Sequence, residues 1–389
     1  MERLHLPARP DWQALAERLG FGFHTMYGAP YWDETVAWRF SLTEIERDLE
    51  DPSAELHQMA LAAVDRVLGD ERLLRRLAIP EQVWDWIATS WKRGDPSLYG
   101  RFDLAYDGTG PARLLEYNAD TPTSLYETAF FQWVWLEQAM EQGILPAGAD
   151  QFNAVQDRLI DRLAALLPAD AFTHFASVSG SDEDRGTVLY LEDCARQAGR
   201  HPAYVAMDRI GVDAQGRFAD DESRLISHLF KLYPWEMMLR DPFAVHLPAC
   251  PTRFLEPPWK ALLSNKGLLP VLWQMFPGHP NLLPSWFAED GPPPGADLSA
   301  GWVRKPLFSR EGANVTLLTA AGTVREQADG PYGAEGWIGQ AYAPLPCIDG
   351  QHMVVGSWII GDTACGIGLR EDSSAITRDL SRFVPHFIQ

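Results

Sequence analysis

Apolar residues recur at helical spacing in two long stretches of this chain. Between positions 54 and 68 they fall on one face of a helix, at Leu56, Met59, Ala60, Ala63, Val64 and Val67. Residues 151–167 repeat the pattern and stop at Pro168, which cannot continue a helix. Residues 10–92 are therefore predicted to be mostly helical, with His57 on the surface of its helix.

Shorter segments have the composition of strands. Residues 98–106 and 113–118 are predicted strands, and the sequence Asp-Gly-Thr-Gly-Pro at 107–111 is typical of a turn between them. A second hairpin is predicted from residues 354–360 and 364–370, with Arg370 at its exit.

The first hairpin carries the most distinctive polar residues. Because alternate residues of a strand share a face, Arg101 and Asp103 point the same way, as do Glu116 and Asn118. A turn centred on residues 109–110 would place Asp103 opposite Glu116 and Arg101 opposite Asn118, whereas a β-bulge would change this register.

Two carboxylates directly across a ladder repel each other. A divalent cation between Asp103 and Glu116 would turn that repulsion into a binding site, and carboxylate and amide oxygens are the ligands that Mg²⁺ takes. The alternative is a solvated polar face with no ligand.

A β-α-β unit is predicted in the middle of the chain, from a strand at 174–178, a helix at 187–198 and a strand at 203–206. The loop at 179–184 follows the carboxyl end of the first strand, where open α/β sheets place ligands. Its acidic residues, Asp182, Glu183 and Asp184, are either a receptor for a substrate ammonium group or a solvated turn.

Composition narrows the possible functions. A chain of 389 residues with 46% hydrophobic and 22% charged residues is a folded protein of two or three subdomains. Its formal net charge of −20 argues against a nucleic-acid partner. No stretch is apolar enough to suggest a membrane span, and the four cysteines form no CxxC pair, so a cytoplasmic location is expected.

Two strings carry a family resemblance. Tyr-Gly-Arg-Phe-Asp at 99–103 and Leu-Glu-Tyr-Asn-Ala-Asp-Thr-Pro-Thr-Ser at 115–124 resemble the synthetase domain of the glutathionylspermidine synthase family, a branch of the ATP-grasp carboxylate–amine ligases. The resemblance implies that Asp103, Glu116 and Asn118 hold Mg²⁺ and that Arg101 contacts the transferred phosphate.

Further site residues follow from the same resemblance. Lys266 and Lys305 match the two nucleotide-binding lysines, and the loop at 309–315, with Gly312, matches the loop over the phosphates. Residues 335–346 resemble the hinge beside adenine, whose edge would be read by backbone groups near Gln340 and Tyr342. The resemblance also implies that Arg370 is directed at the reacting carboxylate. Independently of the resemblance, Thr123 or Ser124 is expected to cap the helix that follows, and the N-terminus of that helix would favour an anionic substrate.

The predicted fold class is α/β, of α+β type: an ATP-grasp fold with permuted motifs, in which the metal ligands precede the lysines, and with an inserted βαβ subdomain. Four segments are expected: a helical part with the metal-binding hairpin and its following helix (1–150), a preATP-grasp-like substrate subdomain (151–255), a lid with both lysines (256–345) and a return to the core sheet (346–389).

The expected function is an ATP-dependent ligase, with ATP and Mg²⁺ as cofactors, that joins a glutathione-like carboxylate to a polyamine-like amine through an acyl phosphate. The alternative is a non-catalytic relative that binds a nucleotide or polyamine. Bifunctional family members carry an amidase domain with a catalytic cysteine ahead of the synthetase. Because the first cysteine here is Cys194, no amidase activity is expected. The substrates and the oligomeric state are left open.

Overall fold

The structure is a computed structural model that describes residues 1–26, 28–378 and 381–389. It is a mixed α/β protein. The helices are α1 (Trp12–Arg18), α2 (Asp51–Leu68), α3 (Glu71–Arg76), α4 (Trp84–Lys92), α5 (Gln132–Glu141), α6 (Val155–Leu166), α7 (Asp182–Gln197), α8 (Trp235–Met238) and α9 (Leu268–Met275). Short π-helical segments cover Glu44–Glu50 and Glu127–Phe131, and 3₁₀ segments cover Glu81–Val83, Met207–Arg209, Pro242–Ala249 and Pro258–Leu262.

The strands of the described residues form several sheets. In chain order they are β1 (Glu2–His5), β2 (Thr25–Met26), β3 (Ala29–Pro30), β4 (Val36–Phe40), β5 (Tyr99–Ala105), β6 (Arg113–Asn118), β7 (Phe172–Ser177), β8 (His201–Ala206), β9 (Gly211–Val212), β10 (Phe218–Ala219), β11 (His228–Leu232), β12 (Arg253–Leu255), β13 (Ser285–Phe287), β14 (Trp302–Pro306), β15 (Thr316–Leu318), β16 (Val324–Gln327), β17 (Trp337–Ala341), β18 (Cys347–Ile348), β19 (Gln351–Ile360), β20 (Thr363–Asp372), β21 (Arg382–Val384) and β22 (His386–Ile388).

The central sheet is antiparallel, in the order β21-β20-β19-β5-β6, with β18 beside β19. Both predicted hairpins, β5–β6 and β19–β20, are confirmed and lie next to each other in this sheet. Helix α2 packs on β19 and β20, and so does α6, which explains why β19 is buried at every position from 353 to 360 rather than at alternate ones.

A parallel sheet, in the order β12-β11-β7-β8, holds the predicted β-α-β unit. Helix α7 connects β7 to β8, which pair in parallel, as expected from the sequence. The helix begins at Asp182 instead of 187, because the Ser181 side chain accepts a hydrogen bond from the Asp184 N–H at 3.2 Å and caps it. The acidic residues therefore form a first helical turn, and the predicted loop is shorter than expected.

A five-stranded antiparallel sheet, in the order β13-β17-β14-β15-β16, holds Lys305 on β14 and Gln340 on β17. A smaller sheet, in the order β1-β4-β22, joins the first and last strands of the chain. Within the described residues, no helix is both long and apolar enough to cross a membrane.

The N-terminal region departs from the prediction in two respects. Strands β2, β3 and β4 lie within the stretch expected to be mostly helical. The apolar face of α2 is buried as predicted, but His57 is buried as well, with its Nε2 atom 3.0 Å from Asp362 Oδ1. The prediction of a surface position for His57 was wrong, because Asp362, in the turn between β19 and β20, supplies a polar partner that helical spacing cannot reveal.

A buried ion pair fixes the end of the first hairpin to the parallel sheet. Lys231 on β11 donates to Asp120 Oδ1 at 2.7 Å, and the Trp235 N–H donates to Asp120 Oδ2 at 2.7 Å. Both charged side chains are almost fully inaccessible to solvent. Breaking such a pair by removing one partner leaves an uncompensated charge in a low dielectric.

We expect Lys231→Met to lower the free energy of unfolding by about 3–5 kcal/mol, because the Asp120 carboxylate would stay buried without its cation. Urea unfolding followed by circular dichroism measures the change. Lys92→Met, at an exposed position of α4, is the matched control, with an expected change within about 0.5 kcal/mol. Equal effects of the two substitutions would contradict the role of the ion pair.

Candidate active site

The two predicted pairs of the first hairpin are confirmed, although the register shifts by one residue between them and the turn. Asp103 pairs with Glu116, and Arg101 pairs with Asn118. A bulge is present, but it lies on the turn side of the Asp103–Glu116 pair, so it leaves both pairs intact. Four predicted site residues therefore share one face of two neighbouring strands.

Arg101 is held in a fixed orientation. Its Nε and Nη2 atoms donate to the two carboxylate oxygens of Asp103 at 2.7 and 3.0 Å, and Nη1 donates to the Thr123 carbonyl at 2.7 Å. The side chain crosses Gly356 of β19, where an added Cβ would lie 2.9 Å from Arg101 Cδ. Glycine at this position leaves room for the arginine.

Asn118 links the two carboxylates, since its Nδ2 atom donates to Asp103 at 3.0 Å and to Glu116 at 3.3 Å. Rotating this amide by 180° would bring Oδ1 to the same place, and the three side chains would then offer the oxygen donors that Mg²⁺ takes. Among the described residues no group of three or more His, Cys, Asp or Glu side chains could hold a metal ion, so the amide is needed to complete the candidate set.

The charges of both predicted lysines act on Glu116, but of the two only Lys266 forms an ion pair with it. Lys266 Nζ lies 3.0 Å from Glu116 Oε2 and donates to the Ser309 carbonyl at 2.9 Å. Burial alone would raise the pKa of Glu116, but the ammonium groups of Lys266 and Lys305 lower it to about 2. Burial lowers the pKa of Lys305 to about 8; the neighbouring Lys266 adds to this shift, and Glu116 opposes it.

A cleft over these residues has two adjoining parts. Arg101, Asn118, Arg310 and Arg370 line the polar part. The apolar part is lined by Val303, Val315, Leu317, Leu345, Val354 and Ile376, together with Lys305, Gln340 and Tyr342. Asp103, Glu116, Lys266 and Gly312 border both parts. An apolar slot that opens onto clustered cations can accept a planar ring with attached phosphates.

The hinge residues are also at the cleft, although some of their polar groups are already used. The Tyr342 N–H donates to the Gly301 carbonyl at 3.1 Å. The Gln340 side chain accepts from Lys305 Nζ at 2.8 Å and donates to the Leu114 carbonyl at 3.0 Å. Gly312, with φ +71°, lies so close to Thr377 O that a Cβ there would be 2.6 Å away.

Arg370 reaches the polar part from within β20, where it pairs with Val354, and not from the exit of the second hairpin, because β20 continues to Asp372. Its Nη2 atom donates to the carbonyls of Arg378 and Ser381 at 2.9 and 3.2 Å. Its positive charge also acts on Asp103. Burial raises the pKa of the Asp103 carboxyl above its usual value, and the charges of Arg101 and Arg370 oppose that rise without cancelling it.

The predicted substrate residues lie further from this centre. Among the described residues that line the two parts of the cleft, Ser124 and Asp182 to Asp184 are not found. Ser124 is buried, with its hydroxyl 3.2 Å from the Tyr31 hydroxyl. Burial raises the pKa of Asp184, and the charge of Arg310 in the cleft opposes that shift. Their assignment to substrate binding stays a prediction.

A model of the family described as glutathionylspermidine synthase preATP-grasp matches residues 3–389. The chain belongs to the glutathionylspermidine synthase family.

Individual relatives agree with this assignment. A Haemophilus influenzae protein named "Putative acid–amine ligase" is 42% identical over 98% of this chain and 98% of its own length. Trypanothione synthetase of Crithidia fasciculata is 30% identical over 83% of this chain, and the bifunctional glutathionylspermidine synthetase/amidase of Escherichia coli is 28% identical over 89%. The match spans only 52% and 58% of those two longer proteins.

A solved structure shows the same fold at low identity. The glutathione synthetase-like effector of Globodera pallida is similar to 90% of this chain, with 89% of its own chain covered, a TM-score of 0.56 and 10% identity. This likeness supports the mixed α/β architecture alone.

Two residues that shape the site, Asp120 and Arg310, were not predicted from the sequence. Asp120 joins β11 and Trp235 to the end of the hairpin, and its place two residues after Asn118 in the family string was the available signal. Arg310 lies in the loop over the cleft, and its Nη2 atom is 3.0 Å from Thr121 Oγ1 and 3.5 Å from Glu236 Oε1. No spacing rule identifies that contact.

We expect Lys305 to titrate near pH 8 and its pKa to move in opposite directions in two variants. Glu116→Gln removes an opposite charge and lowers the pKa below about 8, whereas Lys266→Met removes a like charge and raises it. Titration of the ¹³Cε signal by NMR, assigned with Lys305→Arg, measures both. Shifts of the same sign would contradict the described charge arrangement.

Proposed function

We propose that this protein is an ATP-dependent, Mg²⁺-requiring acid–amine ligase with a permuted ATP-grasp fold. The observation that carries the proposal is the convergence of Asp103, Glu116 and Asn118 with Lys266 and Lys305 at the junction of a cation-rich cleft and an apolar slot. Family membership and the relatives' names support the same class of reaction.

Each part of the cleft has a role in this proposal. The apolar slot receives adenine, and Lys266 and Lys305 bind the phosphates, with the Gly312 loop above them. Asp103, Glu116 and Asn118 hold Mg²⁺, which when bound would neutralise phosphate charge. The described donors fit that ion, since two carboxylates face each other beside an amide.

The arginines serve the reacting groups. Arg101 stabilises the phosphoryl group as it moves from ATP to the substrate carboxylate, and Arg370 stabilises the negative charge that develops when the amine attacks the acyl phosphate. Both guanidinium groups are already oriented by carbonyl and carboxylate acceptors, so little reorganisation is needed during the reaction.

For the substrates, we propose a glutathione-like peptide as the acid and a polyamine-like amine. The names of the Escherichia coli and Crithidia relatives motivate this choice. The acidic first turn of α7, Asp182 to Asp184, is the proposed contact of a cationic amine, and the region of Ser124 is the proposed contact of the acid.

The class of reaction can be tested with the purified protein and ATP. ADP and phosphate should form only when Mg²⁺, a peptide carboxylate and an amine are all present, and mass spectrometry should detect the amide product. EDTA should abolish turnover, and added Mg²⁺ should restore it. Saturable nucleotide binding without ADP formation for any acid–amine pair would instead support a non-catalytic nucleotide-binding protein.

We expect Asp103→Asn to reduce kcat for ATP turnover by about a hundred- to thousand-fold, or about 3–4 kcal/mol in the barrier, because it removes a charged group from a water-poor site. Coupled ADP assays give the rate, and thermal unfolding shows whether the fold is kept. Asp297→Asn, an exposed carboxylate, is the control and should retain normal turnover. Near-normal turnover in folded Asp103→Asn would rule out the assigned role.

A further inference from the structure

The five-stranded sheet contacts the first hairpin where that hairpin is irregular. After the Asp103–Glu116 pair the register shifts, and Leu104 pairs with Leu114, so Leu115 is the extra residue of a β-bulge. A bulged residue is left out of the regular ladder and its backbone groups are available to other partners. Here the Leu115 carbonyl accepts a hydrogen bond from Lys305 Nζ at 2.9 Å.

Gln340 occupies the neighbouring position. Lys305 pairs with Ile338 across β14 and β17, so Gln340, two residues further along, is its diagonal neighbour on the same face. The Gln340 Oε1 atom accepts from Lys305 Nζ at 2.8 Å, and Nε2 donates to the Leu114 carbonyl at 3.0 Å. The side chain is 1% exposed and both of its polar atoms are engaged with protein groups.

These contacts orient the ammonium group. A lysine ammonium has three N–H donors. The Leu115 carbonyl and Gln340 Oε1 take two of them, which leaves one donor for a ligand in the cleft that Lys305 borders. Because the two acceptors come from different sheets, the ammonium position depends on how the two sheets meet.

We propose that Gln340 is a positioning residue: its side chain aims the Lys305 ammonium at the nucleotide phosphates and couples Lys305, through the bulge at Leu114 and Leu115, to the adjacent Glu116. This inference rests on the proposed function for the identity of the ligand. It assigns the Gln340 side chain to lysine orientation rather than to reading adenine, a task left to backbone groups and the apolar walls.

The test uses two near-isosteric variants with opposite effects on the acceptor. Gln340→Met removes the acceptor for Lys305, and Gln340→Glu replaces it with a charged one. Reactivity of Lys305 towards an amine-acetylating reagent at fixed pH, quantified by peptide mass spectrometry, needs no nucleotide. We expect the methionine variant to label several-fold faster than the wild type and the glutamate variant to label at or below the wild-type rate.

Nucleotide affinity supplies the second readout. A hydrogen bond to a charged group is worth enough for its loss to weaken binding by about tenfold, so Gln340→Met should raise the Kd for ATP by about that factor. Gln151→Met is the matched control, since Gln151 is also a buried glutamine, bonded to the carbonyls of His386 and Gln132; its Lys305 labelling and ATP affinity should stay at wild-type values.

The outcomes separate the inference from the proposed function. Faster labelling in both Gln340 variants, or in neither, would overturn the positioning role. The expected labelling together with no ATP binding by the wild type would uphold that role and overturn ATP as the ligand. If Gln340→Met does not fold, Gln340→Asn, which withdraws both polar atoms by one methylene, should give the same rise in labelling.

Discussion

Two carboxylates, Asp103 and Glu116, face each other across one antiparallel ladder, and much of the surrounding structure balances their charge. Like charges in this position destabilise a sheet, and burial raises the cost because little water screens them. Arg101 binds Asp103 through two hydrogen bonds, Lys266 pairs with Glu116, and Asn118 lies between the carboxylates. These groups offset the repulsion between the two carboxylates when no ligand is bound. In the proposed function the same groups bind the metal ion and the triphosphate, so the stability of the hairpin and its proposed function depend on one set of charges.

The hairpin can hold these groups in place because the chain is fixed by a buried ion pair both where it enters β5 and where it leaves β6. At the start of β5, the Glu256 carboxylate accepts hydrogen bonds from the Leu98 and Tyr99 N–H groups and lies 3.5 Å from Lys260 Nζ. Beyond the end of β6, Asp120 is bound by Lys231 and the Trp235 N–H. Buried pairs of this kind add little net stability but make the alternatives costly, since moving one partner exposes an unpaired charge to a low dielectric. The site is thereby preorganised, which is the condition for electrostatic stabilisation of a developing charge.

Sequence patterns predicted correctly those features that depend on a single helix or a single hairpin. Strand alternation and turn composition gave the pairs Asp103–Glu116 and Arg101–Asn118, and helical spacing gave the buried face of α2. They failed where contacts outside the pattern decide. His57 is buried because Asp362, from the turn between β19 and β20, supplies a polar partner, and the start of α7 is set by the Ser181 cap rather than by apolar spacing. Strand β4 was missed because its partners, β1 and β22, lie near opposite ends of the chain.

The sequence by itself determined which residues form the first hairpin, its pairs Asp103–Glu116 and Arg101–Asn118, and its family, because strand periodicity and the string at 115–124 are local properties. Only the tertiary structure decided which charges meet. Lys266, Lys305 and Arg310 come from segments outside the central sheet, and they reach the cleft only through the way those segments pack over the hairpin. Arg370 comes from β20 of the central sheet itself, two strands away from β5. The hydrogen bonds that hold Lys305 and Gln340 against the bulge are likewise contacts between sheets. Their acceptors on the hairpin are the backbone carbonyls of Leu115 and Leu114, which no side-chain pattern encodes.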